Sequence, residues 1–332
     1  MGWYAPRVQP EVARAIAYLV RAGVLAPEKA APLLRVARGE LVSVRVELRL
    51  LLWAGVSLTM AGVGLLLGQN LAQIGPLTIA LGLGLASAAC LAWVAWQGPP
   101  FSWGQQPSPS LAFDYVLLLG VSLAGAELAF IEVRWAPLGG RWPIHLLVLS
   151  LLAAALAVRY DSRVLFSLAL TTFAAWRGVT ASSLSLFAWE RTDAWVVRLN
   201  ALACGALFVA LGALLVRLGR KPHFEPVAAH LGWGLLLGAL AQGALQPAHR
   251  DATWAVWAAE VLLAGLGLAV HGWRERRLSL LAMGVLGAYL GLSRLAVEPI
   301  HDDRAVALYF VVTGASLVAA LSLAQRRLAE RR

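Results

Sequence analysis

The stretch Phe173-Ala174-Ala175-Trp176-Arg177-Gly178-Val179-Thr180, "FAAWRGVT", lies midway along a run with no other charge between Arg163 and Glu190. If that run crosses a bilayer, Arg177 starts near the middle of the hydrocarbon, where an arginine costs about 2.5 to 3.5 kcal/mol on insertion scales. If it folds back without crossing, every later segment changes sides. The number of spans and the identity of a polar site hang on the same eight residues.

The surrounding chain points to a membrane. Of its 332 residues 60% are hydrophobic and only 14% charged, with a mean hydropathy of +0.71, whereas a soluble domain carries about 25% charged residues. The expected class is an all-α, polytopic membrane helix bundle, in which lipid takes up the apolar surface that a soluble fold must hide from water. Apolar runs of about 20 residues fall near 50–68, 74–96, 113–132, 142–158, 164–188, 195–216, 227–246, 254–272, 278–296 and 305–324. The fourth is short, and the fifth carries Thr171, Thr172, Thr180, Ser182, Ser183 and Ser185 beside its arginine.

The positive-inside rule decides between crossing and folding back. With ten spans and both termini cytoplasmic, 20 of the 28 Lys and Arg lie inside: eight before the first span, Arg159 and Arg163, then Arg217, Arg220 and Lys221, then Arg274, Arg276 and Arg277, and four in the tail. Omitting the fifth span moves the last three groups outside. Tryptophans agree: Trp53, Trp93, Trp96, Trp233 and Trp273 mark inner ends, while Trp135, Trp142, Trp189, Trp195, Trp254 and Trp257 mark outer ones, as an aromatic belt does. The net charge of +10 is thereby explained by orientation and lipid headgroups, and nucleic acid is not an expected partner. Cys90 and Cys204 sit in apolar runs as small hydrophobes. The first 23 residues lack an apolar h-region and a small-residue cleavage site, so no removable signal peptide is expected.

The spans divide the chain. Residues 1–45 read as a cytoplasmic pair of short amphipathic helices, with Gly23 ending the first and Pro27 opening the second. This hairpin either lies on the inner membrane surface or docks a cytoplasmic protein partner. Residues 46–96 form a two-span membrane hairpin. Residues 97–112, with four prolines and no charge, form a semi-rigid extended linker. Residues 113–325 form an eight-span bundle, and 326–332 a basic tail. The hairpin phrase "YLVRAGVLAPEKAAPLLR", the following pair of spans and "FDYVLLLGVSLAGAELAFIE" at 113–132 resemble a bacterial family of membrane proteins catalogued as domain of unknown function 2157. That resemblance covers about the first 130 residues. It implies a multi-pass protein of the bacterial inner membrane, and it carries no catalytic residues over.

Soluble-enzyme motifs are missing: there is no Walker loop, GxSxG, HExxH or CxxC. The GxxxG phrases Gly64 to Gly68, Gly234 to Gly238 and Gly287 to Gly291 read as close helix packing. The first outer connection, 68–73, has no carboxylate, against a membrane glycosyltransferase that uses an acid there. His230 and His271, near inner ends of neighbouring spans, read as interfacial histidines rather than haem ligands, and no cofactor or metal is expected.

What remains is intramembrane charge: Glu127, Arg177, Arg198, Glu260 and Arg294. At 1.5 Å per residue, Glu127 and Glu260 lie about 8 to 9 Å below the outer boundary and Arg177 about 16 Å, so Arg177 can reach outward to either carboxylate. Arg294 is spaced to pair with Glu298, and Arg198 is near enough to the outer end to snorkel. Intramembrane charges default to a functional reading. Three functions are compatible: a carrier or flippase for an anionic solute or lipid headgroup, binding it in an outward-facing pocket; a non-catalytic assembly or sensing protein that docks through the hairpin; and an outer-face transferase on a lipid-linked substrate, with His249, His301 and Asp302 as acid and base.

Overall fold

The structure is a computed structural model that describes residues 10–37, 45–141, 143–179, 194–246, 253–300 and 302–330. Among them there is no strand. The chain divides into two units, Met1–Asn70 and Leu71–Arg332.

In the first unit, α1 (Pro10–Arg21) and α2 (Pro27–Ala37) form the expected hairpin. Gly23, at φ 72°, turns the chain, and Pro27 needs no amide partner in the first turn of α2. Ile16 and Ala30 are buried between the two helices, flanked by Val20, Leu25 and Leu34. The third helix, α3 (Arg45–Ile74), runs across the division between the units.

The second unit contains, in chain order, α4 (Pro76–Gln97), α5 (Leu111–Trp135), α6 (Ile144–Tyr160), α7 (Arg163–Trp176), α8 (Ala194–Arg217), α9 (Glu225–Ala244), α10 (Thr253–Arg274), α11 (Leu278–Val297) and α12 (Asp303–Glu330). Successive helices pack as pairs, α4 on α5, α6 on α7, α8 on α9 and α10 on α11. Six of them, α4, α5 and α8 to α11, are long and apolar enough to cross a membrane. Shorter apolar segments are Leu50–Leu65 within α3, α6 and α7.

The pairs are held by small residues and by hydroxyls that bond across. Ser87 of α4 donates to the Gly120 carbonyl of α5 at 2.9 Å, and Ser150 of α6 donates to that of Ala169 in α7 at 2.8 Å. A Cβ added at Gly205 would come within 2.7 Å of the Gly232 carbonyl oxygen, and one at Gly232 within 2.8 Å of that of Gly205. The tightest pair is α10 with α11, where Gly265 and Gly284 each lie against the other's carbonyl oxygen at 2.7 Å from an added Cβ, and Gly291 lies 2.5 Å from that of Ala258. Gly272 sits against the backbone of Leu281. This corrects the GxxxG expectation in part: Gly64 and Gly238 have open space, Gly234 has only the tip of Met283 at 4.0 Å, and the contacts belong to glycines spaced by seven on facing helices. Two antiparallel helices present the same face to each other once every two turns, so a spacing of seven keeps backbones in contact along their length.

Two further expectations change. The compact units meet along the chain at Asn70–Leu71, and the 97–112 segment, expected to be an extended linker, is bonded within the second unit. The fifth run, expected to span 164–188, stops as a helix at Trp176; its remainder from 180 lies outside the described residues.

Candidate functional site

The stop of α7 is written in its last residues. Arg177 occupies the C-cap, and Gly178 adopts φ 79°, which costs a glycine nothing and a branched residue much. The Gly178 amide donates to Ala175 and the Val179 amide to Ala174, both at 2.9 Å, the pair of bonds that closes a Schellman motif. Val179 and Ala174 are both buried at this turn. The expected carboxylate partner of Arg177 is replaced by an amide. Arg177 Nη2 donates to Asn200 Oδ1 at 2.7 Å, and Asn200 Nδ2 donates back to the Arg177 carbonyl at 2.9 Å. Because the helix ends at Trp176, the side chain turns onto α8 instead of running outward along its own helix. Asn200 therefore satisfies both the guanidinium and a carbonyl freed by the helix end.

Two residues before Asn200 and on nearly the opposite face of α8, Arg198 is 1% exposed and is the largest fully buried side chain described. Its position corrects the snorkelling expectation: the guanidinium carbon lies 4.9 Å from the Trp257 ring centroid and 5.9 Å from that of Trp195. The two indoles meet edge to face at 5.7 Å. Trp257 fits because Gly243 of α9 leaves it room; a Cβ there would come within 2.5 Å of indole Cγ. Among the described residues, Nε and Nη2 of Arg198 have no hydrogen-bond partner. A desolvated cation–π contact returns about 2 kcal/mol, while burying an ion costs several kcal/mol and each unmet donor about 1 to 3 more. Two indoles leave the balance unfavourable. An anion supplied from outside the described residues would close it.

The other predicted charges do not join this centre. Glu127 lies half-buried over Gly84, where an added Cβ would come within 2.6 Å of its Oε1, and Glu260 is exposed on α10. Among the described residues neither forms an ion pair with Arg177. Arg294 is held by its neighbours: it pairs with Glu298, donates from Nε to Ala244 O at 3.0 Å and from Nη2 to Gln246 O at 3.3 Å, and lies 4.6 Å from the Trp254 centroid. It closes the C-terminal end of α9. His230 is engaged at both ring nitrogens, Nδ1 donating to Pro226 O at 2.5 Å and Nε2 facing Ser279 Oγ at 2.7 Å, so its ring fastens α9 to α11. His271 is exposed. Of the transferase candidates, His249 and His301 lie outside the described residues, and Asp302 accepts from the Arg304 amide at 3.0 Å.

A second polar cluster forms at the opposite end of the unit, where α6 ends and α9 begins. Lys221, 1% exposed, lies 3.0 Å from Asp161 Oδ1, itself 3% exposed. The His223 ring stands 2.5 Å from the same oxygen. The 97–112 segment is bonded into this cluster rather than hanging free: Gln106 N donates to Asp161 Oδ2 at 2.5 Å, Lys221 N to Trp103 O at 3.0 Å, and Arg159 Nη1 to Pro99 O at 2.8 Å. Arg220 covers Trp103 and Lys221 faces Phe101. Nearby, one nitrogen of Arg277 reaches both Glu225 oxygens at 2.5 and 2.6 Å, and that hydrogen bond raises the guanidinium pKa above its usual range.

The chain matches no protein-family model, no curated protein and no solved structure. Function is therefore read from geometry. Asn200 was overlooked in the sequence, although a lone carboxamide in an apolar helix two residues from an arginine is a signal. Asp161, Lys221 and His223 were overlooked because each falls in a turn, where charge is ordinarily solvated.

Proposed function

We propose that the chain is a ten-span protein of the bacterial inner membrane, with both termini cytoplasmic, that acts as a carrier or flippase for an anionic solute or lipid headgroup. The single observation behind this reading is Arg198, a buried cation with two nitrogens that find no acceptor among the described residues. Arg177 and Asn200 lie on the same end of the unit and widen the polar layer. The basic ends of α6, α8 and α10 and the resemblance to the domain of unknown function 2157 family support the orientation and the cellular setting. Asn200 and Trp257 enter the site, and Glu127, Glu260 and Arg294 leave it.

The test is thermal unfolding of purified protein at constant ionic strength, with chloride replaced by inorganic phosphate or glycerol phosphate. An anion at 100 times its Kd stabilises by about 2.7 kcal/mol, a rise of about 2 °C or more in Tm for a chain of this size. Arg198→Gln removes the rise, and the corresponding proteoliposomes lose uptake. An equal rise in Arg198→Gln sinks the reading.

One observation favours the assembly alternative. The α1–α2 hairpin buries Ile16 and Ala30 between its helices and leaves Tyr18, Val24 and Leu33 exposed, a surface suited to a cytoplasmic protein. Deleting residues 10–37 separates the two readings: a carrier keeps its anion response and an assembly protein loses its partner.

A further inference from the structure

The end of α9, α11 and α12 border a half-open cavity of about 320 Å³ walled by Leu286, Leu290, Val297 and Phe310, with Tyr289, Ser293 and Arg294 contributing the polar atoms. Those polar atoms are already bonded. Tyr289 shares a hydrogen with Thr313 at 2.9 Å, Tyr309 donates to Ser293 Oγ at 3.1 Å, and Arg294 is divided among Glu298, Ala244 and Gln246. A water needs two to four polar partners to occupy a cavity; among the described residues these bonds leave Arg294 one further N–H on each of Nη1 and Nη2 at one end, and the rest of the wall is hydrocarbon. The space suits hydrocarbon.

We propose that this cavity holds one acyl chain of a zwitterionic phospholipid whose headgroup sits at the Arg294–Glu298 pair. The charge argument selects the headgroup. Arg198 presents an unbalanced cation, but Arg294 and Glu298, one turn apart at the end of α11, present a cation and an anion side by side. That pairing complements a phosphate joined to an ammonium, and it gives a net anion no advantage. Trp254, on Arg294 at 4.6 Å, supplies the indole that membrane interfaces favour. The site stands on its own residues and does not depend on the Arg198 reading.

The full-length protein is reconstituted in vesicles carrying phosphatidylethanolamine with a photoreactive group in its acyl chain, and crosslinked peptides are mapped. Crosslinks are expected on 286–297 and at Phe310. Leu290→Trp, which fills the cavity, reduces them by about tenfold, a loss of about 1.4 kcal/mol of binding. Val297→Phe fills the other end and is the second variant should Leu290→Trp not fold. Crosslinks undiminished in a folded cavity-filling variant, or spread evenly over the other apolar helices, overturn the site. Equal labelling by the matching phosphatidylglycerol overturns the headgroup assignment.

Discussion

Arg198 of α8 and Trp257 of α10 meet with the guanidinium carbon 4.9 Å from the indole centroid, and Gly243 of α9 makes the space for that indole. Three helices thus converge on one buried charge. Gly243→Ala is expected to push Trp257 off its seat and destabilise the protein by about 1 to 3 kcal/mol, the usual range for overpacking. Thermal unfolding together with the anion response measures both effects. Unaltered Tm and unaltered anion response in this variant would show that the stack is not what buries Arg198.

The α10–α11 contact makes a sharper comparison. Gly265→Ala and Gly284→Ala each drive a methyl into facing backbone and are expected to cost about 1 to 3 kcal/mol. Gly238→Ala, with open space around it, is expected to be neutral or to stabilise by up to about 1 kcal/mol, since alanine loses less backbone freedom on folding. Denaturation in detergent ranks the three; equal costs would contradict the packing.

Asp161→Asn leaves Lys221 as a buried cation without its carboxylate. Breaking one side of a buried pair costs about 3 to 5 kcal/mol, and here it also releases the Gln106 and Trp103 segment. Limited proteolysis between 100 and 110 should accelerate in this variant at temperatures where the helices remain folded. Adding Lys221→Met to Asp161→Asn removes the unpaired cation and should recover part of the stability. No change in cleavage for Asp161→Asn would mean that the segment is held by its aromatic contacts alone.

Topology has its own test. In a version with Cys90 and Cys204 replaced, single cysteines at 249 or 302 should react with an impermeant thiol reagent added from outside, and ones at 219 or 328 only after the membrane is opened. The reverse pattern would overturn the ten-span orientation.

The apolar runs were legible as helices because lipid imposes one requirement on every spanning segment: each run overlaps a helix in α3 to α12, and six of those helices are long and apolar enough to cross a membrane. Where a helix stops was less legible. Arg177 and Gly178 read as the middle of a span, since hydropathy averages over a window and a C-cap is a matter of one glycine's φ. Charge pairing was least legible. Glu127 and Glu260 were matched to Arg177 by depth alone, and depth does not say which face of a helix a side chain leaves from. The Arg294–Glu298 pair could be read because both residues sit on one helix at a fixed spacing. Arg198 was read as reaching for water because its burial depends on Trp257, fifty-nine positions away.

The early stop of α7 has an electrical meaning. Its 14 residues rise about 21 Å, against about 30 Å of hydrocarbon. In the proposed orientation, with its first turn at the inner boundary, an anion entering from outside to the level of Gly178 would have traversed about 0.3 of the membrane thickness. One elementary charge moved across the whole field corresponds to about 2.3 kcal/mol per 100 mV, so this position senses about 0.7 kcal/mol per 100 mV. A more negative interior opposes the inward step. Occupancy by a monovalent anion at that depth would fall about threefold for each additional 100 mV, and a residue that ends a helix would thereby set how strongly the membrane voltage is felt.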